Sequence, residues 1–439
     1  MAKYRAFRVS RWSLAFCASL SACLWSPVRA EEWGEGLVSP DTFTVYGDVR
    51  AVAADGEVAW TNDAFGKLRY GGDEPALASD LRIQPVFGEA GIVWQPRFGW
   101  ALSGTVVALA QGGDFSDGKP DAGLSEAYVS FKPLGGGPVR FSARAGLMWP
   151  PVSLEHSGPE WAVTETVTPS AINSWIGEEV KVVGLELTGK AALGDHSLEF
   201  TLAGFDVNDT AGALVSLRGW ALHDRKALAF RIHPLPQLNE FITQDQPRFS
   251  HPIMDLDSGT FTSPGYYVRL AWDLPEVLHL EAIHYDNNGS PLAENFEHEW
   301  GWRTKFDAVG LVADLSPDWH LRAQALTGRA LMGEDEGNGI WVDTRFRAAY
   351  AMITRKLASG SLSARLDLFG TRNRGGTLLA DDDEDGWAVT VAARREFGRS
   401  FTALLEFLRV ESRRAARARA ILEPNQAQNQ LQLVLRARW

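Results

Sequence analysis

From Thr42 to its last residue the chain alternates apolar and polar side chains with a period of two, in short segments separated by turns. Successive side chains of a strand point to opposite faces, so each segment reads as a two-faced strand. The clearest is the ending LQLVLRARW. Leu431, Leu433, Leu435, Ala437 and Trp439 share one face, and Gln432, Val434, Arg436 and Arg438 share the other. Near the start, Phe43, Val45, Gly47 and Val49 oppose Thr44, Tyr46, Asp48 and Arg50 in the same way. Five strands are expected before the break at residue 148; the later four are marked by Ala90, Ile92 and Trp94, by 100–110, by Ala127, Val129 and Phe131, and by Val139, Phe141, Ala143, Ala145 and Leu147. Thirteen more are expected at 180–190, 196–207, 211–220, 226–233, 264–273, 277–286, 299–312, 317–328, 340–354, 359–370, 386–397, 401–411 and 430–439, giving eighteen. Sixteen is the alternative, because 208–233 also reads as an irregular hairpin or part of a loop.

Short turns (95–98, 133–138, 191–195, 221–225, 274–276, 313–317, 355–358, 398–400) alternate with longer polar stretches, so the short connections gather at one end of the sheet. No apolar run of about 18 residues follows the N-terminal segment, and lipid-exposed backbone tolerates helices or closed sheets alone. Trp100, Trp272, Trp300, Trp302, Trp319 and Trp387 lie near strand ends, where the interfacial girdles of a membrane barrel sit. The expected fold is all-β, a transmembrane antiparallel β-barrel with short periplasmic turns and long extracellular loops, one domain over 31–439. A soluble sandwich also has many short alternating strands. It gives no reason for the segregated turn lengths or for a one-sided apolar strand ending on Trp439.

The first thirty residues bear on the compartment. Lys3, Arg5, Arg8 and Arg11 form a basic start, 12–25 carries no charge, and Val28-Arg29-Ala30 places small residues at a signal-peptidase site, so cleavage is expected after Ala30. Leu20-Ser21-Ala22-Cys23 also fits a lipobox, which would make Cys23 a lipidated terminus. Cleavage after Ala30 removes both cysteines, Cys17 and Cys23, and with them any thiol or disulfide chemistry. It also takes five positive charges from a net −12, leaving −17, a balance that speaks against nucleic acid as a partner.

The ending on Trp439 resembles the C-terminal signature strand of bacterial outer-membrane β-barrel proteins. That resemblance implies residence in the outer membrane of a Gram-negative bacterium, with Trp439 read by the barrel-assembly machinery, lipid and lipopolysaccharide around the wall, and a homotrimer as a common assembly. A second likeness is local: the run from Gly146 to Glu155, GLMWPPVSLE, resembles the glycine, proline and Leu-Glu passage of the phosphate-selective porin O and P family. In porins the third long loop folds into the barrel as its constriction. The stretch from Met148 to Glu179, between the fifth and sixth strands, occupies that place here.

A barrel this wide is not filled by its own side chains, so the inward residues set its chemistry. Arg140, Arg144, Arg218, Arg269, Arg303, Arg322, Arg345 and Arg365 alternate against apolar neighbours and are assigned to the lumen wall, as are Lys305, Arg347, Gln324, Asp367 and Glu406. The constriction loop carries Glu155, Glu160, Glu165, Glu178 and Glu179 and no Lys or Arg. A phosphate filter needs basic groups to replace the hydration of the anion. The loop therefore argues against phosphate selectivity and for an acidic loop facing a basic wall, with a transverse field between them. Asp381 to Asp385 imitates half a calcium loop, but Ala392 stands where a bidentate Glu is required. An exposed acidic loop holding divalent ions that bridge lipopolysaccharide is the expectation there, and Glu334–Glu336 reads alike. His279 and Glu281 share a face without completing a metal site, and Pro234 to Ser263, with His251, Asp255 and Asp257, is a lid or a surface loop. No cofactor is implied. The expected function is a passive diffusion channel for small hydrophilic solutes or ions. The alternatives are a plugged structural or receptor barrel, and an outer-membrane hydrolase, for which no G-x-S-x-G or other nucleophile motif is found.

Overall fold

Each two-faced segment pairs antiparallel with its neighbour in sequence, and the last pairs with the first, in a computed structural model that describes residues 36–72, 81–112, 121–132, 137–236, 249–252, 264–295, 298–335, 337, 339–374 and 383–439. The strands are β1 (Phe43–Ala54), β2 (Arg82–Trp94), β3 (Leu102–Gln111), β4 (Asp121–Phe131), β5 (Val139–Met148), β6 (Val182–Leu193), β7 (His196–Asp206), β8 (Gly265–Leu274), β9 (Leu278–Asp286), β10 (Arg303–Ser316), β11 (Trp319–Asp335), β12 (Ile340–Leu357), β13 (Gly360–Asn373), β14 (Glu384–Phe397), β15 (Phe401–Arg414) and β16 (Asn425–Arg438). They form one closed barrel of sixteen strands. Closure runs from Tyr46 opposite Arg438 to Ala54 opposite Gln430, and Trp439 exchanges backbone hydrogen bonds of 2.9 Å with Val45. The expected outward faces hold: Val45 and Val49, and Leu431, Leu433 and Leu435, are exposed on the outer wall. Both chain ends of the barrel lie at the end that carries the short connections. Among the described residues no helix is long and apolar enough to cross a membrane.

Sixteen, not eighteen, is the strand count, and the two strands expected at 211–220 and 226–233 do not exist. That stretch enters the barrel, where Ala213–Leu217 forms a short helix with every residue buried. A wall strand needs one face against lipid, and here neither face is free. Gly212 and Gly219, at φ 105° and 84°, turn the chain at either side, where a Cβ would collide with Thr304 and with the Glu384 carboxylate.

The upper half of the lumen is packed rather than open. A helix, α1 (Ala171–Glu179), lies inside the barrel with all nine residues buried. Its Trp175 meets Phe306 of β10 at 5.5 Å and Phe346 of β12 at 5.0 Å between ring centroids, and Trp220 at 6.0 Å. Leu214, Leu217, Leu326, Met332 and Phe369 complete an apolar cluster joining wall and loops. Trp302, expected in an interfacial girdle, belongs to this interior cluster and is fully buried.

Since Phe306 and Phe346 point inward, their neighbours point outward. Arg345 and Arg347 are exposed on the outer wall, as is Lys305, and Arg303 shares that outward face and donates to Asp286 at 3.1 Å. The assignment of Arg303, Lys305, Arg345 and Arg347 to the lumen is thus corrected. The rule of apolar outside and polar inside holds where lipid meets the wall. Above that band it inverts, because the outer face meets headgroups and water while the inner face meets folded-in chain.

Candidate channel constriction

The loop from Trp149 to Lys181 leaves β5, crosses the lumen and returns to β6. It is fastened to the far wall at named points. Gln324 of β11 donates to the Val152 carbonyl at 2.6 Å. Arg365 of β13, fully buried, donates to Glu155 at 3.0 Å, to the carbonyls of Thr168 and Pro169 at 2.8 and 2.9 Å, and to Asp367 at 2.8 Å. Glu406 of β15 accepts from the backbone N–H groups of Val167 and Thr168 at 2.6 and 3.0 Å. Ser170 caps α1 through its hydroxyl, and the Ala171 N–H donates to Asp367 at 3.0 Å, placing a wall carboxylate at the positive end of the helix. Arg436 donates to the Val163 carbonyl at 3.0 Å.

The five loop acids have separate fates. Glu155 is consumed by Arg365, Asn173 and the Ser170 N–H. Glu160 pairs with Arg438 at 3.2 Å, and Glu165 accepts from Ser361 at 2.6 Å. Glu178 is buried between Arg218, at 2.8 Å in both branches, and His223 at 2.9 Å. Burial would raise its pKa, but the Arg218 charge and His223 override it and hold the carboxyl well below its usual range. Among the described residues Glu179 has no cation beside it. Burial pushes it up to about 7, opposed by hydrogen bonds from the Leu214 N–H and the Trp175 indole. A loop of free acids across an aqueous gap is therefore not what forms: Glu155, Glu178 and Glu179 serve to fasten the loop.

The basic residues divide in the same way. Arg218 lies in the lumen but on the folded-in segment at the end of the 213–217 helix, not on the wall. Arg144 makes a two-pronged pair with Glu186 at 2.7 and 2.8 Å, and Arg269 pairs with Glu199 and Glu281 at 2.6 and 2.7 Å. Arg140 is exposed toward the short-turn end of β5. Arg322 points inward, and its Nε and Nη1 have no hydrogen-bond partner among the described residues. These side chains, with the partly accessible Lys190, Asp273, His279, Arg394 and Arg436, make the lumen below the loop polar.

At the loop's root the sequence hid a stack. Lys181 sits 3.5 Å above the Trp149 ring, Trp149 stacks on Trp161 at 4.2 Å, and Trp161 on His156 at 3.6 Å. Burial holds the Lys181 amine well below its ordinary pKa, partly offset by Glu126. Beside this stack a cavity of about 300 Å³ is lined by Glu126, Tyr128, Arg144, Trp149, Ser153 and His156. Nothing in the linear pattern announces it, since its rings come from a non-repeating segment. Elsewhere, His279 bonds Asp273 and Glu281, and Asp383 and Asp385 pair with Arg372. Among the described residues no cluster could hold a metal ion. Of the expected lid, His251 bonds Glu299, while Asp255, Asp257, Asp381, Asp382 and Glu336 lie outside the described residues, as does the leader 1–30.

No family model matches the chain, and no curated protein matches it in sequence. Solved structures do. The outer membrane channel DcaP of Acinetobacter baumannii superposes with a TM-score of 0.56 at 12% identity, over 92% of this chain and 99% of that one. An anion-selective porin from Comamonas acidovorans gives 0.49 at 10% identity over 91% and 99%, and OmpF of Salmonella typhi, in complex with daunomycin, 0.46 at 10% over 92% and 99%. At such identities a likeness speaks to fold, and the chain folds as a sixteen-stranded barrel of the kind DcaP has.

Proposed function

We propose that this protein is a passive outer-membrane channel admitting small hydrophilic solutes along a narrow path, controlled by the loop 149–181. The observation that carries the reading is the loop itself, which spans the lumen and is fastened to β11, β13, β15 and β16 above a polar vestibule. Arg140 and Arg322, inward cations with no ion pair among the described residues, favour small anions. The solved porin-type neighbours agree with the architecture. Export by a leader cleaved after Ala30, recognition of Trp439 by the assembly machinery, contact with lipopolysaccharide and a homotrimer belong to the same proposal. The O and P porin likeness contributes the position of the loop and no phosphate selectivity.

The packed apolar cluster in the upper lumen favours a second reading, a barrel closed by its own loops that serves as a receptor. Planar-bilayer recording separates the two. The channel reading expects stepwise conductance and, across a KCl gradient, a reversal potential of anionic sign that moves toward neutral when Arg140 and Arg322 are both changed to Gln. Silence from a folded preparation, one whose gel mobility changes on boiling, would favour the receptor.

A further inference from the structure

The outer wall between β8 and β12 carries a groove beneath a cluster of cations. Strand register sets four lateral rows on this outward face. From the short-turn side they are Leu311, Ala323 and Ala351, then Val309, Ala325 and Ala349, then Asp307, Thr327 and Arg347, then Lys305, Arg329 and Arg345. Alanines between larger neighbours leave a trough of about 580 Å³, floored by Ala323, Ala325 and Ala349 and flanked by Trp272, Leu280 and Leu311. One pleat repeat above, about 7 Å along the strands, the surface turns basic.

The charges there do not cancel. Arg329 is taken by Asp343 at 2.6 and 2.7 Å, while Asp307, hydrogen-bonded to His284 at 2.7 Å, adds one negative charge in the row of Arg347. Lys305, Arg345 and Arg347 are exposed and have no ion-pair partner among the described residues. Two other outward arginines at this end of the wall are paired, Arg372 with Asp385 and Arg409 with Glu411. Three cations without an ion pair, set against the single charge of Asp307 and lying directly above an apolar trough, match a ligand with an anionic head and a hydrocarbon tail.

We propose that this surface binds a phosphate-bearing lipid of the outer leaflet, one acyl chain lying along Ala323, Ala325 and Ala349 and its phosphate among Lys305, Arg345 and Arg347. The inference rests on the outer-membrane reading and gives its lipid contact a site on the barrel wall; because no part of it depends on the lumen, it stands or falls independently of conduction. Outward basic side chains at headgroup height serve such lipids as the polybasic segments of membrane proteins serve anionic leaflets.

Native mass spectrometry of the purified full chain in detergent tests it, with bis-phosphorylated, hexa-acylated lipid A as the probe. Each cation near an anionic surface contributes about a fivefold factor, so K305Q/R345Q/R347Q together should weaken binding about a hundredfold. R395Q, at the opposite end of the wall, should leave it unchanged. Ala325→Trp, which fills the trough and leaves the charges in place, should weaken it as well and serves as the test if the triple variant fails to fold. Lipid A stripped of phosphate should bind wild type and triple variant equally weakly. Undiminished binding by the folded triple variant, equal binding of the dephosphorylated lipid by wild type, or displacement by millimolar inorganic phosphate alone would each overturn the proposal.

Discussion

Replacing Arg365 with Met should loosen the loop 149–181 while leaving the barrel standing. Arg365 is fully buried and holds two carboxylates, Glu155 on the loop and Asp367 on its own strand, as well as the carbonyls of Thr168 and Pro169. Met is apolar and similar in reach, so the change removes all of these donors at once and strands two carboxylates that have almost no contact with water. Breaking a buried ion pair from one side costs about 3–5 kcal/mol. Each 1.4 kcal/mol is tenfold in an equilibrium, so loop docking should shift by about two to three and a half powers of ten. Glu406 and Gln324 still grip Val167, Thr168 and Val152, so the loop should fluctuate rather than leave. The wall keeps its register with β12 and β14, which is made by backbone. In planar bilayers R365M should therefore show larger unitary conductance or rapid flicker, with gel mobility still changing on boiling. R365K, which keeps charge without the forked geometry, should fall between. Identical conductance, open-state noise and protease resistance of the loop in R365M and wild type would refute the clamp.

Glu179 makes loop docking sensitive to pH. Its carboxyl rises from 4.5 to about 7 in the folded state, so docking is strongest below pH 4.5 and weakens as pH rises through 7. Hydrogen-exchange protection of α1, taken relative to the intrinsic exchange rate at each pH, should fall between pH 5 and 8 in wild type and stay level in E179Q, whose single amide oxygen replaces one of the two acceptors used by Trp175 and Leu214; a parallel slope in the variant would remove Glu179 as the cause. Trp439→Ala should refold in detergent with normal heat-modifiable mobility, because the closing bonds to Val45 are backbone bonds. The amount inserted in cells should fall severalfold, and an unchanged yield would deny Trp439 its part in assembly.

The alternation of Val45, Val49, Leu431 and Leu433 with polar neighbours was enough to specify a closed membrane barrel, because a sheet with one lipid face repeats every two residues whatever its partners. The third long loop was equally legible as the stretch where alternation stops. Orientation above the lipid band was not legible: the local alternation around Arg303 and Arg345 is the same whether the polar side meets a water-filled lumen or lipid headgroups. What reversed them was Phe306 and Phe346 packing on Trp175, a contact between residues more than a hundred positions apart. The segment 211–220 misled for the same reason, since a largely apolar run buried on every side carries no periodicity that separates strand from helix. Sequence alone thus determined the barrel and where its inward-folded loop begins. The tertiary structure alone decided that Glu155, Glu178 and Glu179 anchor the loop rather than charge a pore, because a carboxylate's role depends on which cation and how much water the fold places beside it.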